Sequence, residues 1–399
     1  MISVKEATEI ILQHKIDYGV EEVPLVDAIG RILMEDLVAD RDFPPYDRVT
    51  MDGIAIKYAT YAQGQRQFPV EKVIAAGDPE DELKEVKNCV EIMTGAVIPK
   101  GADIVIRYED LDIQNGIATI MTEAIKSSQN VHRKGTDREL GSTIVRKGQL
   151  ISPGEVGVAA TIGKPTLRVA KLPKTAIIST GDELVDVFEQ PLAHQIRRSN
   201  VYRLRASLKP YHIEADAYHL VDDQAVIERE VSRLLDEYDI LMLSGGVSKG
   251  KFDFIPAALE ALGVKKLFHK IKQRPGKPFW FGEAPNGSLV FALPGNPVSS
   301  FMCTQRYFFP WLRNCLGLDP LKVPTARLQK AVTFKPDLTY LCQVAISYDQ
   351  EGRVLATPVE GHGSGDLANL VDADAFMELP HGRNVFEAGE CHPIFFYRQ

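Results

Sequence analysis

From Thr175 onward the chain alternates short apolar runs with amphipathic stretches. Ala176 to Ser179, Ile213 to Tyr218, Ile240 to Leu243 and Leu289 to Leu293 are strand-like, whereas Asn200 to Leu208, Gln224 to Leu235, Phe254 to Leu262 and Val298 toward Leu316 have helical periodicity. Strands that are apolar on both faces need cover on both faces, and crossover helices supply it. The rhythm predicts a doubly wound α/β layer sandwich. Three glycine turns stand beside these runs: Ser244-Gly245-Gly246-Val247-Ser248-Lys249-Gly250, Arg274-Pro275-Gly276-Lys277-Pro278 and Leu293-Pro294-Gly295-Asn296-Pro297-Val298-Ser299. Sheets of this class bind ligands outside the carboxyl ends of their strands. The three turns are expected to gather at that edge. Their backbone N–H groups, with Lys249, Lys251, Lys270, Arg274 and Lys277 nearby, suit a phosphate or another oxyanion.

The rest of the chain changes style twice, and 399 residues exceed what one hydrophobic core usually supports. Ser3 and Glu6 form a capping box before a helical face of Val4, Ala7, Ile10 and Ile11. Leu25 to Val38 reads as a second helix from Ile29, Leu33 and Leu37, closed by Pro44-Pro45. Short β-rich runs follow, among them Val70 to Ala75, Ile104 to Arg107 and Ile117 to Met121. Helical character returns from Pro153 to Ala160, so the β stretch reads as an insertion into an N-terminal helical linker domain. Beyond Pro320 the runs are again short and end at Pro393 to Tyr397, which predicts a C-terminal β-barrel-like domain. The expected division is 1–44 with 143–174 for the N-terminal helical and extended domain, 45–142 for the inserted β domain, 175–318 for the α/β domain and 319–399 for the C-terminal β domain.

A net charge of −8 argues against nucleic acid or an anionic membrane as partner, so the cations near the glycine turns make a local site for a small anion. The five cysteines are widely spaced without a Cys-x-x-Cys pair, which indicates neither a disulfide framework nor a thiolate zinc site. The N-terminus lacks the order of a signal peptide, and no apolar run is long enough to span a membrane. A cytoplasmic protein is expected.

Gly245 to Lys251 fits the first part of a Walker A loop, but Phe252 stands where Ser or Thr would hold the nucleotide's magnesium. An anion-binding turn of another kind is the better reading. Glu183, Asp222 and Asp253 lie at strand ends or beside the first glycine turn, and their hard oxygens suit a magnesium ion carried with a phosphate. Asp223 reads as the cap of the following helix. His132, His269 and His362 show no ligand spacing. No Gly-x-Ser-x-Gly elbow or dinucleotide fingerprint is present, and Gly361 to Asp366 reads as a flexible loop of the last domain.

Several segments, in order, resemble one family, the MoeA-type molybdopterin molybdenumtransferases, which are also similar to the C-terminal domain of gephyrin. They are Pro45-Tyr46-Asp47 through Thr50-Met51-Asp52-Gly53, Ile92 to Ala96, Gly101-Ala102-Asp103, Gly135-Thr136-Asp137, Ser179 to Leu184, Ser199-Asn200, Ser244 to Gly250, Pro275 to Pro278 and Leu293 to Ser299, with Gly363-Ser364-Gly365 near the end. The resemblance implies a homodimer of four-domain subunits. It implies a magnesium-dependent reaction in which adenylylated molybdopterin and molybdate are substrates, the phosphoanhydride is cleaved, the metal enters the dithiolene and AMP is released. Protein partners would be a molybdopterin adenylyltransferase and the molybdoenzymes that accept the product.

By position, the family's functional carboxylates fall on Asp52, Asp137, Glu183, Asp222 and Asp253, with Thr94 beside them. Glu183, Asp222 and Asp253 would be the metal set. The binding loops fall on Gly245, Gly246, Ser248 and Gly250 and on Pro294, Gly295, Asn296 and Pro297, and the cations for phosphate or molybdate on Lys270, Arg274 and Lys277. Asp52 is expected to reach the site from the partner subunit. Arg48, Val49, Lys249, Lys251 and Arg274 depart from the usual pattern, Arg274 by replacing a point charge with a planar fork. Two other readings stay open: a P-loop-like nucleotide hydrolase using Gly245 to Lys251, and a non-catalytic scaffold of the same fold.

Overall fold

The computed structural model describes residues 1–247 and 254–398. The chain divides into two compact units, one of Met1–Glu22, Gly30–Ile32 and Arg168–Gln399, the other of Val23–Ile29 and Leu33–Leu167.

The first unit is built on a six-stranded sheet in the order Asp216–Leu220, Thr175–Thr180, Ile240–Ser244, Leu289–Leu293, Trp280–Glu283, Lys265–His269. The first four strands are parallel, and Trp280–Glu283 pairs antiparallel with both of its neighbours. Alternate residues turn to opposite faces, as strand geometry dictates. Ile177, Met242 and Phe291 face a core with Val201, Leu204 and Leu208 of the helix Ser199–Leu208, Val4, Ala7 and Ile11 of the first helix, and Trp311. Ile178, Leu241, Leu243 and Val290 face the other core, against Ile227, Val231 and Leu234 of the helix Gln224–Glu237 and Ile255, Ala258 and Leu259 of Ile255–Ala261. Each buried Val, Leu, Ile, Met or Phe among them contributes about 1.5–3 kcal/mol. Helix Gln224–Glu237 starts where sequence reasoning put its cap: the Asp223 side chain accepts from Val226 N at 2.9 Å. The expected helix from Val298 toward Leu316 is continuous but not uniform, with a π turn at Thr304–Phe308 between Pro297–Cys303 and Phe309–Cys315. Pro310, which has no N–H to give to the preceding turn, stands just beyond it.

Five strands at the end of this unit, Thr339–Tyr348, Val354–Pro358, Thr325–Leu328, Cys391–Phe396 and Ala375–Leu379, pair in that order and close back on the first. Closure leaves no free edge for another chain to pair with. Leu328, Val344, Ala356, Met377 and Ile394 fill the interior of this barrel. Gln273–Arg274 adds a short parallel pairing to Thr339 and Tyr340.

The second unit carries a six-stranded sheet in the order Ile104–Arg107, Gly53–Ile56, Cys89–Ile92, Gln67–Ile74, Ile117–Ile120, Leu111–Gln114. All four residues of Gly53–Ile56 are buried, Ile54 and Ile56 in one core and Ala55 in the other. Helix Pro153–Thr161 is capped by a Ser152–Glu155 box.

The expected helix from Leu25 to Val38 does not form. A 3-10 turn covers only Leu25–Ala28, and Leu37–Val38 is a strand paired with Thr143–Val145. Gly30 takes φ +78°, a left-handed conformation that ends a right-handed helix. Arg31 beyond it is buried, its guanidinium spent on Glu21 and on the carbonyl of Ala170 instead of a solvent-facing helix surface.

Candidate active site

The loops that follow four parallel strands wall one cavity of about 510 Å³: Thr180 and Gly181, Asp222, Ser244 to Val247, and Pro294 to Pro297. This is the edge at which α/β sheets bind ligands. Of the residues expected at the site, Glu183, Asp222, Gly245, Gly246, Pro294, Gly295, Asn296 and Pro297 line it together. Ser248, Gly250 and Asp253, with Lys249, Lys251 and Phe252, lie outside the described residues. The Glu183 carboxylate folds over Gly181, where a Cβ would stand 2.6 Å from its Oε2. Across the cavity Asp222 is fixed through its backbone, its N–H donating to Asp182 Oδ1 at 3.1 Å.

Sequence reasoning assigned no role to Ser179, Thr180, Arg197, Arg198 or Ser244, which also line the cavity, and it matched Asn200 only as part of a motif. Asn200 ties two loops together. Its Nδ2 donates to Ser244 Oγ at 2.8 Å and to the Gly295 carbonyl at 2.7 Å. The signal was a polar residue at the first turn of a helix that follows two arginines. Thr180 is buried, and its Oγ1 finds no hydrogen-bond partner among the described residues. A ligand group in the cavity would satisfy it.

Arg198 is anchored by Asp186, whose other oxygen accepts from Tyr202 Oη at 2.9 Å. Those bonds, that of Arg198 first, hold the Asp186 carboxyl down at about 2. A carboxylate lowered in the fold stabilises it above its unfolded value near 4 and loses that contribution as pH falls from about 4 toward 2. Carboxyl titration followed by NMR is expected to give Asp186 a midpoint near 2 in the wild type. A midpoint close to 4 would show that the pair does not form in solution.

The second glycine turn does not join the other two as a whole. Pro278 lines the first cavity, but Arg274 and Pro275 line a second one of about 380 Å³ with Tyr340, Gln343 and Gly361 to Ser364. The pairing of Arg274 with Tyr340 carries it there. Lys270 and Lys277 line neither cavity. Backbone bonds hold both in place, the Lys270 carbonyl accepting from Ile2 N at 3.1 Å and that of Lys277 from Ile271 N at 3.0 Å. The Gly361 to Asp366 loop, expected to be flexible, is anchored to the Pro294 loop: Asn296 Nδ2 donates to Ser364 Oγ at 2.7 Å and Val298 N to the Ser364 carbonyl at 3.1 Å.

The remaining expected residues lie in the other compact unit. Asp52 and Thr94 meet there, Oδ1 accepting from Thr94 N at 2.6 Å and from Thr94 Oγ1 at 2.7 Å. These bonds, the backbone one first, keep the exposed Asp52 carboxyl below its ordinary value. Asp137 Oδ1 pairs with His132 Nε2 at 3.0 Å, so that histidine orients a carboxylate. Among the described residues no three His, Cys, Asp or Glu side chains come together as a metal site.

A mostly parallel sheet whose edge loops wall one cavity, lined by two carboxylates and two arginines, defines an α/β domain with a ligand-sized cavity at the carboxyl ends of its strands. Comparison with known proteins identifies which kind. Residues 2–163 match the MoeA N-terminal region (domains I and II), 176–314 the probable molybdopterin binding domain, and 325–395 the MoeA C-terminal region (domain IV). The molybdopterin molybdenumtransferase of Synechocystis sp. is 39% identical over 99% of this chain and 100% of its own, and that of Bacillus subtilis is 32% identical over 100% and 94%. Two crystal structures of the molybdopterin biosynthesis MoeA protein from Pyrococcus horikoshii superpose over 100% of both chains with TM-scores of 0.84 and 0.83, at 28% and 26% identity. The chain belongs to the molybdopterin molybdenumtransferase family.

Proposed function

We propose that the chain inserts molybdenum from molybdate into adenylylated molybdopterin and releases AMP, a step of molybdenum cofactor biosynthesis. The observation that carries this reading is the cavity of Glu183, Asp222 and the Gly245 and Pro294 loops, in a chain similar from end to end to molybdenumtransferases. Water cleaves the phosphoanhydride to AMP and the molybdopterin monophosphate, and the pterin dithiol replaces one oxygen of molybdate, which leaves as water with the two thiol protons. The loops bind and orient the two phosphates, and fixed donors that need no reorganisation stabilise the charge that develops on their oxygens. Glu183 and Asp222 offer hard oxygens on one cavity, which fits a magnesium ion, with Asp253 as the further expected ligand. Bound there, magnesium would neutralise phosphate charge.

Arg274 beside the Gly361 to Ser364 loop supports the second cavity as the molybdate site, since a guanidinium suits a tetrahedral oxyanion. Lys270 and Lys277 add positive charge on the same segment. The proposal extends to a four-domain subunit and to a cytoplasmic homodimer that brings Asp52, Thr94 and Asp137 to the α/β cavity of the other subunit. Arg274→Ala is expected to raise the molybdate concentration needed for half-maximal AMP release at least about tenfold, with AMP affinity unchanged. An unaltered molybdate requirement would remove Arg274 from the site.

The reaction itself is tested with adenylylated molybdopterin, molybdate and magnesium, following AMP and the molybdenum-loaded product together. ATP turnover without molybdate would favour the nucleotide hydrolase, which neither Phe252 nor the family relationships support. A folded protein that binds adenylylated molybdopterin without turning it over would be the scaffold.

A further inference from the structure

Arg203 lies one turn after Asn200 on the helix Ser199–Leu208, behind the wall of the first cavity. Its Nη2 donates to Asn200 Oδ1 at 2.8 Å and to Ser300 Oγ at 3.0 Å. Its Nε and Nη1 are buried, and neither meets an acceptor among the described residues. The guanidinium carbon stands 5.3 Å from the Phe301 ring centroid. No carboxylate among the described residues pairs with it, and Asp186 is taken by Arg198 and Tyr202. Burial draws the Arg203 pKa down to about 10, so the group stays charged at neutral pH.

A buried cation without a counter-ion is costly, and a fold keeps one where something else supplies the opposite charge. Here the candidate is a ligand in the cavity, on the far side of Asn200. Asn200 has both amide hydrogens on the Ser244 and Gly295 loops and turns its oxygen to Arg203, so the guanidinium sits directly behind the tie that shapes the cavity. A charged donor polarises the amide it holds and strengthens the bonds on its far side. We infer that Arg203 is a positioning residue for the phosphate site, fixing Asn200 between the two loops and supplying a positive charge that the anionic phosphates of the ligand balance.

This rests on the reading that the cavity takes a phosphoanhydride, so pyrophosphate and AMP serve as probes on the full chain. Arg203→Gln keeps a donor toward Asn200 and loses the charge, while Arg203→Lys keeps the charge and loses the fork. Calorimetry is expected to show pyrophosphate binding weakened about tenfold or more in R203Q and within about threefold of wild type in R203K. In turnover, R203Q is expected to raise KM for adenylylated molybdopterin by a similar factor while kcat changes less than about threefold. A merely structural role would weaken both variants alike, in step with their melting temperatures. Pyrophosphate affinity in R203Q within twofold of wild type, or equal losses in both variants, overturns the inference. If R203Q does not fold, R203K decides: retention within threefold supports the charge and a tenfold loss overturns it. Wild-type protein that binds neither pyrophosphate nor AMP instead removes the functional reading, and the inference with it.

Discussion

Glu183→Gln and Asp222→Asn are each expected to slow AMP release by about 10²–10³-fold while leaving the fold in place. Both substitutions keep the shape of the side chain and remove its charge. Glu183 is exposed and Asp222 half-buried, and neither lies in the packed layers on the two faces of the sheet. A surface change of this kind usually moves stability by no more than about 0.5 kcal/mol, so the melting temperature should hardly shift. If the two carboxylates hold magnesium against the phosphates, each variant should also need more magnesium for half-maximal rate. The combined variant should lose less than the product of the single losses, because groups that act as a unit are not additive. AMP release at the wild-type rate in both single variants would sink the assignment.

How much of this was legible in the sequence depends on the range of the interactions. The α/β rhythm was readable because two-faced apolar strands and capped amphipathic helices are local patterns: Leu289–Leu293 matches its expected span at both ends, and Asp223 caps its helix as anticipated. The edge loops followed from the same logic. The failures are local patterns with a second meaning. Ile29, Leu33 and Leu37 keep helical spacing, but Gly30 between them turns the backbone left-handed. Lys265–His269 and Trp280–Glu283 were not read as strands, since a pair of lysines disguises the first, which is the edge strand, and a proline-rich turn precedes the second, which pairs antiparallel with it.

The missed residues, and the cavity that the expected Arg274 joins, depend on partners distant in sequence. Arg274 reaches the second cavity because Gln273–Arg274 pairs with Thr339 and Tyr340, and nothing near residue 274 announces that register. Asn200 and Ser244 meet across two strand ends, and Arg203 meets Ser300 through the packing of two helices. By contrast, Asp52 and Thr94 could each be named from family motifs, yet only the fold shows that one receives two hydrogen bonds from the other. Motif order identifies residues of one chemistry. It does not say which of them share a cavity.

Gly53→Ala is expected to destabilise the unit containing Leu33–Leu167 by more than about 3 kcal/mol, because the added methyl has nowhere to go. Gly53 opens a fully buried strand and pairs with Arg107 on one side and Ile92 on the other. A Cβ there would lie 1.8 Å from the Ile106 carbonyl oxygen, 2.7 Å from its carbon and 2.8 Å from the Arg107 Cα. All three are backbone atoms of the neighbouring strand, so no rotamer change relieves the clash and the two strands have to part. The consequence reaches the adjacent carboxylate. Asp52 receives the Tyr108 N–H on its backbone carbonyl at 3.1 Å and both Thr94 bonds on its side chain, and it moves with Gly53. Thermal unfolding should therefore show an early transition from this unit, with that of the α/β and barrel unit unchanged. Below that transition, hydrogen exchange at the Thr94 amide should be faster than in wild type, because the acceptor that protects it is displaced. An unshifted melt together with unchanged Thr94 exchange would mean that the strand pair accommodates a methyl group, and that Gly53 does not hold Asp52 in place.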